Sequence, residues 1–233
     1  MPDASPLRRY AVSYRCAVVT VKYRRTFDAP YPAAINDLHA GYQWMVENAE
    51  MLRIDPDKVV LFGPSSGAHL ATAFPFRLMR YGFPTPRGVV AVVPQTDDRP
   101  GNGIANTLYD GSWDASTQHS ELMQWMGPNF ACSAIGPEAL ANHATIEDCV
   151  GYPPLFIHTG EWDPDRDNCR EFYHKVLEAK SFAEFHCWGG ADHVALVTEG
   201  VEYYDRIGPL LDLHINECFK YDMRRPWVVE ESK

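Results

Sequence analysis

The chain has 233 residues, of which 45% are hydrophobic and 22% charged, a composition typical of one soluble globular domain with a substantial core. Its formal net charge of -10 argues against nucleic acid or an anionic membrane as the main partner, and it suits a neutral or cationic small molecule. No apolar run reaches the roughly 20 residues that span a bilayer, and the N-terminal residues lack the apolar core of a signal peptide.

The cysteines are spread along the chain without the C-x-x-C spacing of a zinc or redox motif. Two of them fall inside predicted strands. This distribution predicts reduced, mostly buried thiols in a cytoplasmic protein. The cysteines are Cys16, Cys132, Cys149, Cys169, Cys187 and Cys218.

The predicted elements alternate between strands and helices. Continuous apolar runs rich in β-branched residues predict buried strands at 16–21, 59–62, 88–93, 154–159 and 183–188. Helices are predicted over 7–15, 33–51, 66–80, 165–179 and 197–220. Because the strands are apolar on both faces and separated by helices, the fold class is α/β, with a mostly parallel sheet flanked by helices.

The alternation stops between residues 95 and 152, where no strong strand occurs and helices are predicted near 117–126 and 136–142. Connections between neighbouring elements are usually much shorter, so this interval predicts a helical cap or lid. We therefore expect a single domain, 1–233, with a cap insertion at 96–151.

Residues 58–73, K-V-V-L-F-G-P-S-S-G-A-H-L-A-T-A, predict a strand, a tight turn and a helix with Ser65 at the apex. This is the context of a G-x-S-x-G nucleophile elbow, in which a strained serine is exposed at the end of a strand. Gly63 and Gly67 would let the strand and the helix approach closely. The helix start aims backbone N–H groups, that of Ser66 first, at an oxyanion forming beside the hydroxyl.

A serine nucleophile needs a base, and reactive side chains collect at the carboxyl ends of parallel strands. Among the histidines, His193 alone follows a predicted strand directly, in the glycine-rich turn after 183–188. The others lie on predicted helices, inside strands or away from such an edge: His39, His69, His119, His143, His158, His174, His186 and His214.

An acid must orient the base, and Asp163 follows the strand that precedes the one leading to His193. An aspartate before a proline at a helix start is also a common N-cap, so a structural role is the alternative. Asp165, Asp167 and Asp192 are rival carboxylates. The order Ser, Asp, His along the chain is that of α/β hydrolases.

With these residues in place, the chain resembles the hormone-sensitive-lipase-like branch of the α/β hydrolases. The resemblance lies in V-V-T-V-K-Y-R-R (18–25), I-D-P-D-K-V (54–59), the elbow, Y-P-P-L-F-I-H-T-G-E-W-D-P-D-R-D (152–167) and G-G-A-D-H-V (189–194). It implies Ser65 as nucleophile, Asp163 as acid, His193 as base and a cap after the sixth strand.

Two departures from that family stand out. The elbow carries Pro64 and Ser66 where this branch usually has Asp and Ala. No H-G-G-G loop, which supplies the other oxyanion donors, precedes residue 18, and the first three strands are missing with it. Three explanations are open: the chain is a fragment or shortened product of an esterase, residues 17–22 pair directly with 58–63, or another copy supplies a strand in a homo-oligomer.

The sequence therefore predicts a serine carboxylic-ester hydrolase that acts through an acyl-enzyme on a small, largely apolar ester. The alternatives are a catalytically impaired or non-catalytic binding protein, an acyltransferase or a lactonase. No metal or organic cofactor is expected, because no H-E-x-x-H, dinucleotide fingerprint or Walker loop occurs. The residues expected to line the substrate pocket are Trp113, Trp125, Met126, Trp162 and Val194.

Overall fold

A four-stranded parallel sheet forms the centre of the molecule. The computed structural model describes residues 6–25, 28–97, 136–198 and 202–224. The strands are β1 (Val60–Pro64), β2 (Gly88–Val92), β3 (Leu155–Gly160) and β4 (Ala183–Trp188), and they lie side by side in chain order. The parallel α/β architecture predicted from the sequence is confirmed.

Helices connect and cover these strands. They are α1 (Pro6–Ser13), α2 (Ala33–Glu47), α3 (Ala49–Leu52), α4 (Ser66–Tyr81), α5 (Arg166–Glu178) and α6 (Glu202–Lys220), with a 3-10 turn at Ala141–His143. In the part of the chain that the structure describes, no helix is long and apolar enough to cross a membrane.

The two central strands are buried on both faces, which explains their continuous apolar sequence. Alternate residues of β2 point to opposite faces and join different core clusters. One face packs against α4 and α5 through Phe76 and Phe172. The other face packs against α1 and α6 through Tyr10 and Leu211. Helix α2 packs mainly on α4, and Leu61 of β1 contacts the cluster that the two helices form.

The strand predicted at 16–21 is not formed. In the structure residues 16–25 carry no regular secondary structure, and Val18 and Val19 are about 40% exposed (38% and 41%). No backbone hydrogen bond joins this segment to β1 among the described residues, so the direct pairing of 17–22 with 58–63 is also wrong. A β-rich sequence becomes a strand only when a neighbouring strand satisfies its backbone groups, and none of the described strands reaches it.

A deep groove separates this segment from the sheet. It has a volume of about 960 Å³ and runs along β1, with residues 16–21 as its opposite wall. Tyr42 and Phe74 line one side of it, and Ile215 and Phe219 line the other. The segment is held instead by α2, because a Cβ atom at Gly41 would lie 2.7 Å from Val21 Cγ2. The groove therefore leaves the outer edge of β1 without a described partner strand.

Two predicted helices differ in detail from the observed ones. The helix predicted over 33–51 is interrupted at Asn48, where the backbone leaves the helical region between α2 and α3. The helix predicted near 136–142 is a turn followed by the 3-10 turn Ala141–His143, and Gly136 has a φ of 79°. The predicted helix at 117–126, and most of the predicted cap at 96–151, lie outside the described residues.

The described cysteines are all free, and three of the five are buried: Cys149, Cys169 and Cys218. Cys16 is half-buried because the strand predicted around it is absent. Cys187 is exposed, although it leaves the same face of β4 as Phe185, which packs against the core cluster that includes Phe172 of α5. Among the described residues, the free and mostly buried cysteines agree with the expectation, and Cys187 is the exposed exception.

We expect Gly63→Ala to destabilise the protein by about 3 kcal/mol, because the new Cβ would lie 2.4 Å from the backbone carbon of Gly67. The matched control is Gly67→Ala, whose Cβ would meet Pro64 Cδ at an ordinary 3.6 Å. Urea unfolding of both variants measures the difference. Equal free energies of unfolding for the two would contradict this account of the elbow.

Candidate active site

The turn after β1 holds Ser65 in a strained conformation. Its φ of 49° and ψ of -120° lie in a region that non-glycine residues rarely adopt. Helix α4 starts at the next residue, so the serine side chain stands beside the N-terminus of a helix of 16 residues. Of the two glycines, Gly63 is required for the close approach of strand and helix, whereas Gly67 has room for a methyl group.

Hydrogen bonds join the turn after β3 to the turn after β4. Trp162 N–H donates to the Ala191 carbonyl at 2.9 Å, and Gly190 N–H donates to the Glu161 carboxylate at 2.8 Å. A Cβ atom at Gly160 would lie 2.3 Å from the Ala191 oxygen, so only glycine allows this approach. These hydrogen bonds hold the residues that follow β3 close to those that follow β4.

Ser65, His193 and Asp163 form one hydrogen-bonded chain. Ser65 Oγ lies 3.0 Å from His193 Nε2, and His193 Nδ1 lies 3.0 Å from Asp163 Oδ2. Asp163 is fully buried, and the imidazole is about one-third exposed (31%). The three residues expected from the sequence are therefore in mutual contact at the carboxyl edge of the sheet.

The environment of His193 favours its protonated form. Burial alone would lower the pKa of the imidazole, but the hydrogen bond that its Nδ1–H donates to Asp163 and the negative charges of Asp163 and Asp192 outweigh it. The net effect is a pKa raised above the ordinary 6.5. The arrangement can thus stabilise an imidazolium that forms when the serine proton is taken up.

Asp165 is a buried carboxyl beside this chain. Burial, and next the charge of Asp163, raise the pKa of Asp165 well above its ordinary value. Its Oδ1 atom has no hydrogen-bond partner, and its backbone N–H donates to Asp163 Oδ1 at 2.8 Å. Helix α5 begins directly after Asp165, so the N-cap position predicted as an alternative role for Asp163 belongs to Asp165.

The rival residues occupy other positions. Asp167 pairs with Arg166 and Arg170, and Asp192 accepts a hydrogen bond from Ala195 N–H at 2.7 Å. His69 Nδ1 lies 2.8 Å from the Gln95 carbonyl oxygen, and burial lowers the pKa of this imidazole. None of these contacts reaches Ser65.

The expected pocket residues are only partly covered by the structure. Trp113, Trp125 and Met126 lie outside the described residues. Trp162 is half-buried in the turn that carries Asp163. Val194 is 60% exposed directly after His193.

Tyr23 is a neighbour of the site that the sequence analysis missed. Its hydroxyl lies 3.1 Å from Ser66 Oγ, at the start of α4. It belongs to the segment that lines the groove beside β1. Contacts of residues 16–25 with α2, such as the ion pair of Arg24 with Asp37, hold this tyrosine beside Ser66, and no sequence motif encodes them.

A sheet of this topology with a strained serine, a histidine and an aspartate at its carboxyl edge defines the α/β hydrolases. Residues 2–197 match the family model described as alpha/beta hydrolase fold, and the chain belongs to this family. Matches to hormone-sensitive lipases, such as that of Homo sapiens (26% identical over 94 residues, 40% of this chain and 9% of the lipase), support the predicted branch.

Other sequence relatives are bacterial enzymes. The chain is 28% identical over 173 residues to carboxylesterase NlhH of Mycobacterium tuberculosis, a match that covers 69% of this chain and 50% of that protein. It is 28% identical over 184 residues to an acetyl-hydrolase of Streptomyces hygroscopicus, covering 76% and 57%. The chain thus spans about half the length of these relatives.

Solved structures confirm the fold. Carboxyl esterase 2 of Tuber melanosporum superposes with a TM-score of 0.78 at 20% identity, covering 93% of this chain and 71% of that one. Esterase LipW of Mycobacterium marinum gives a TM-score of 0.76 at 27% identity, covering 91% and 66%.

We expect Asp165→Asn to stabilise the protein more at pH 8 than at pH 5. The carboxyl keeps its proton in the folded state to a higher pH than in the unfolded state, so wild-type stability falls as pH rises between the two pKa values. An amide does not ionise and escapes this loss, which is worth on the order of 1–3 kcal/mol. Urea unfolding at both pH values, with the exposed Asp205→Asn as control, measures it. A gain of equal size at both pH values would contradict the proposed burial of a neutral carboxyl.

Proposed function

We propose that this protein is a serine carboxylic-ester hydrolase. The observation that carries the proposal is the hydrogen-bonded chain from Ser65 through His193 to Asp163, beside the N-terminus of α4. The named esterases among its sequence relatives support the same reaction. A small, largely apolar ester suits the apolar residues that adjoin Asp163 and His193 in the sequence, the half-buried Trp162 and the exposed Val194.

In the proposed mechanism, Ser65 Oγ attacks the ester carbonyl while His193 Nε2 takes up the hydroxyl proton. The oxyanion is stabilised by the Ser66 N–H and by the positive end of the α4 dipole. His193 then gives its proton to the leaving alcohol, and an acyl group remains on Ser65. Water, activated by the same imidazole, releases the acid and restores the serine.

Asp163 has a supporting role in this mechanism. It accepts the hydrogen bond from His193 Nδ1–H, which leaves Nε2 as the basic nitrogen that faces Ser65. Because Asp163 is fully buried, its charge acts on the imidazole with little screening by water.

A second function, that of a non-catalytic binding protein with the same three residues, is favoured by one observation. The groove beside β1 is open at the edge of the elbow strand, where Gly63 and Pro64 line it. A site whose neighbouring strand edge is unpaired holds its oxyanion donors less rigidly, and catalysis depends on rigid donors. A fluorophosphonate probe separates the two functions, because it labels only an activated serine.

We expect Ser65→Ala to lower the kcat/KM for a short-chain aryl ester by about 10⁴-fold or more and to abolish fluorophosphonate labelling. The matched control is Ser66→Ala, which keeps the backbone N–H and should retain at least roughly a tenth of wild-type activity. Hydrolysis by Ser65→Ala at the wild-type rate would exclude the esterase assignment. A folded wild-type protein that is neither active nor labelled would favour the binding protein.

The loss of activity at low pH should report the protonation of His193. Since the pKa of His193 is raised above 6.5, its base form is lost as pH falls, and kcat/KM should decline with a midpoint above pH 6.5. Asp163→Asn removes the charge that contributes most to raising the pKa of His193, whereas burial still lowers it. The imidazole of this variant should therefore titrate at a lower pH. Observing the His193 ring proton by NMR in both proteins tests this. A midpoint that does not move would contradict the coupling to Asp163.

A further inference from the structure

A cluster of three imidazoles and a carboxylate lies on the sheet apart from Ser65. Glu184 and His186 are two residues apart on β4, so their side chains leave the same face of the strand. His214 of α6 packs against that face, and His158 of β3 lies beneath it. No step of the proposed reaction uses these residues.

The ligand atoms of Glu184, His186 and His214 are spaced as a metal ion requires. Glu184 Oε2 lies 3.2 Å from His186 Nε2 and 3.5 Å from His214 Nε2, and all three ligand atoms are within 4.8 Å of one another. A tetrahedral zinc ion with bonds of about 2.0–2.1 Å holds its ligand atoms roughly 3.3 Å apart. Two imidazoles and one carboxylate are also a ligand set that zinc and similar divalent ions accept.

The site is also accessible. The side chains of Glu184 and His186 are 39% and 31% exposed, so an ion can enter from solvent and keep a water ligand. His214 is almost fully buried, so its ring is held in place beside these two ligands.

A chain of hydrogen bonds that ends at His214 Nδ1 disfavours metal binding through His214 Nε2. The Trp188 indole N–H can only donate, and it faces His158 Nδ1 at 3.3 Å. A neutral His158 then carries its proton on Nε2 and donates it to His214 Nδ1 at 3.2 Å. His214 in turn has its proton on Nε2, the atom that faces Glu184.

Binding an ion through His214 Nε2 reverses this chain. His214 then carries its proton on Nδ1 and donates to His158 Nε2, so the His158 proton moves to Nδ1. Both rings stay neutral, but the His158 N–H now meets the Trp188 N–H, and one hydrogen bond is lost.

We propose that Glu184, His186 and His214 bind a divalent transition-metal ion of the zinc type, which ties β4 to α6, and that Trp188 weakens this binding. The role is structural, because the ion would join an outer strand to a helix that is distant in sequence. Sequence motifs do not predict this site, because the ligands follow no recognised metal-binding spacing.

The test is a titration of the full chain with zinc chloride at pH 7.5, after removal of metals with EDTA. It uses a Cys187→Ser background, because an exposed free thiol on β4 can itself bind zinc. We expect one ion per chain by calorimetry and a rise in melting temperature that EDTA reverses. His186→Ala and Glu184→Gln should each weaken binding at least tenfold, whereas His174→Ala, a surface histidine on α5, should not.

Trp188→Phe makes the test specific to this cluster. It removes the opposing donor, so zinc affinity should rise about tenfold, the factor that corresponds to one hydrogen bond. The absence of stoichiometric binding, or binding that His186→Ala and Glu184→Gln leave unchanged, would overturn the site. An unchanged affinity in Trp188→Phe would overturn the part assigned to the hydrogen-bond chain. Circular dichroism checks that each variant is folded.

Discussion

The parallel alignment of the four strands is the constraint on which the candidate site depends. Because β1, β3 and β4 end at the same edge, the turns that follow them meet there, although their residues lie far apart in the sequence. The close approach at Gly160 then fixes the distance between the last two turns. A shift of one strand by a single residue would separate Asp163 from His193.

The residues of the site could be predicted because each adjoins a recognisable strand end. Ser65 lies between glycines after an apolar run, and His193 and Asp163 follow two further apolar runs. Sequence patterns of this kind predict where each strand ends. Because the strands of a parallel sheet end at one edge, residues that follow them come into contact.

The failures of prediction concern residues whose state depends on distant partners. Residues 16–21 have the composition of a buried strand, but the position beside β1 is a groove, and Val21 packs on α2 instead. Tyr23 reaches Ser66 for the same reason. The cluster around His214 was missed because strand residues and a helix residue meet there only after the sheet has formed. No periodicity in the sequence describes such contacts.

The groove also has a consequence for the behaviour of the protein in solution. Along it, the backbone of β1 offers donors and acceptors to any extended peptide, between walls that are largely aromatic and aliphatic. Copies of the chain that met there could adhere edge to edge. Their mutual repulsion, from ten excess negative charges, is the main force against this, and added salt weakens it. Colloidal stability is therefore expected to depend on ionic strength, through the backbone along the outer edge of β1.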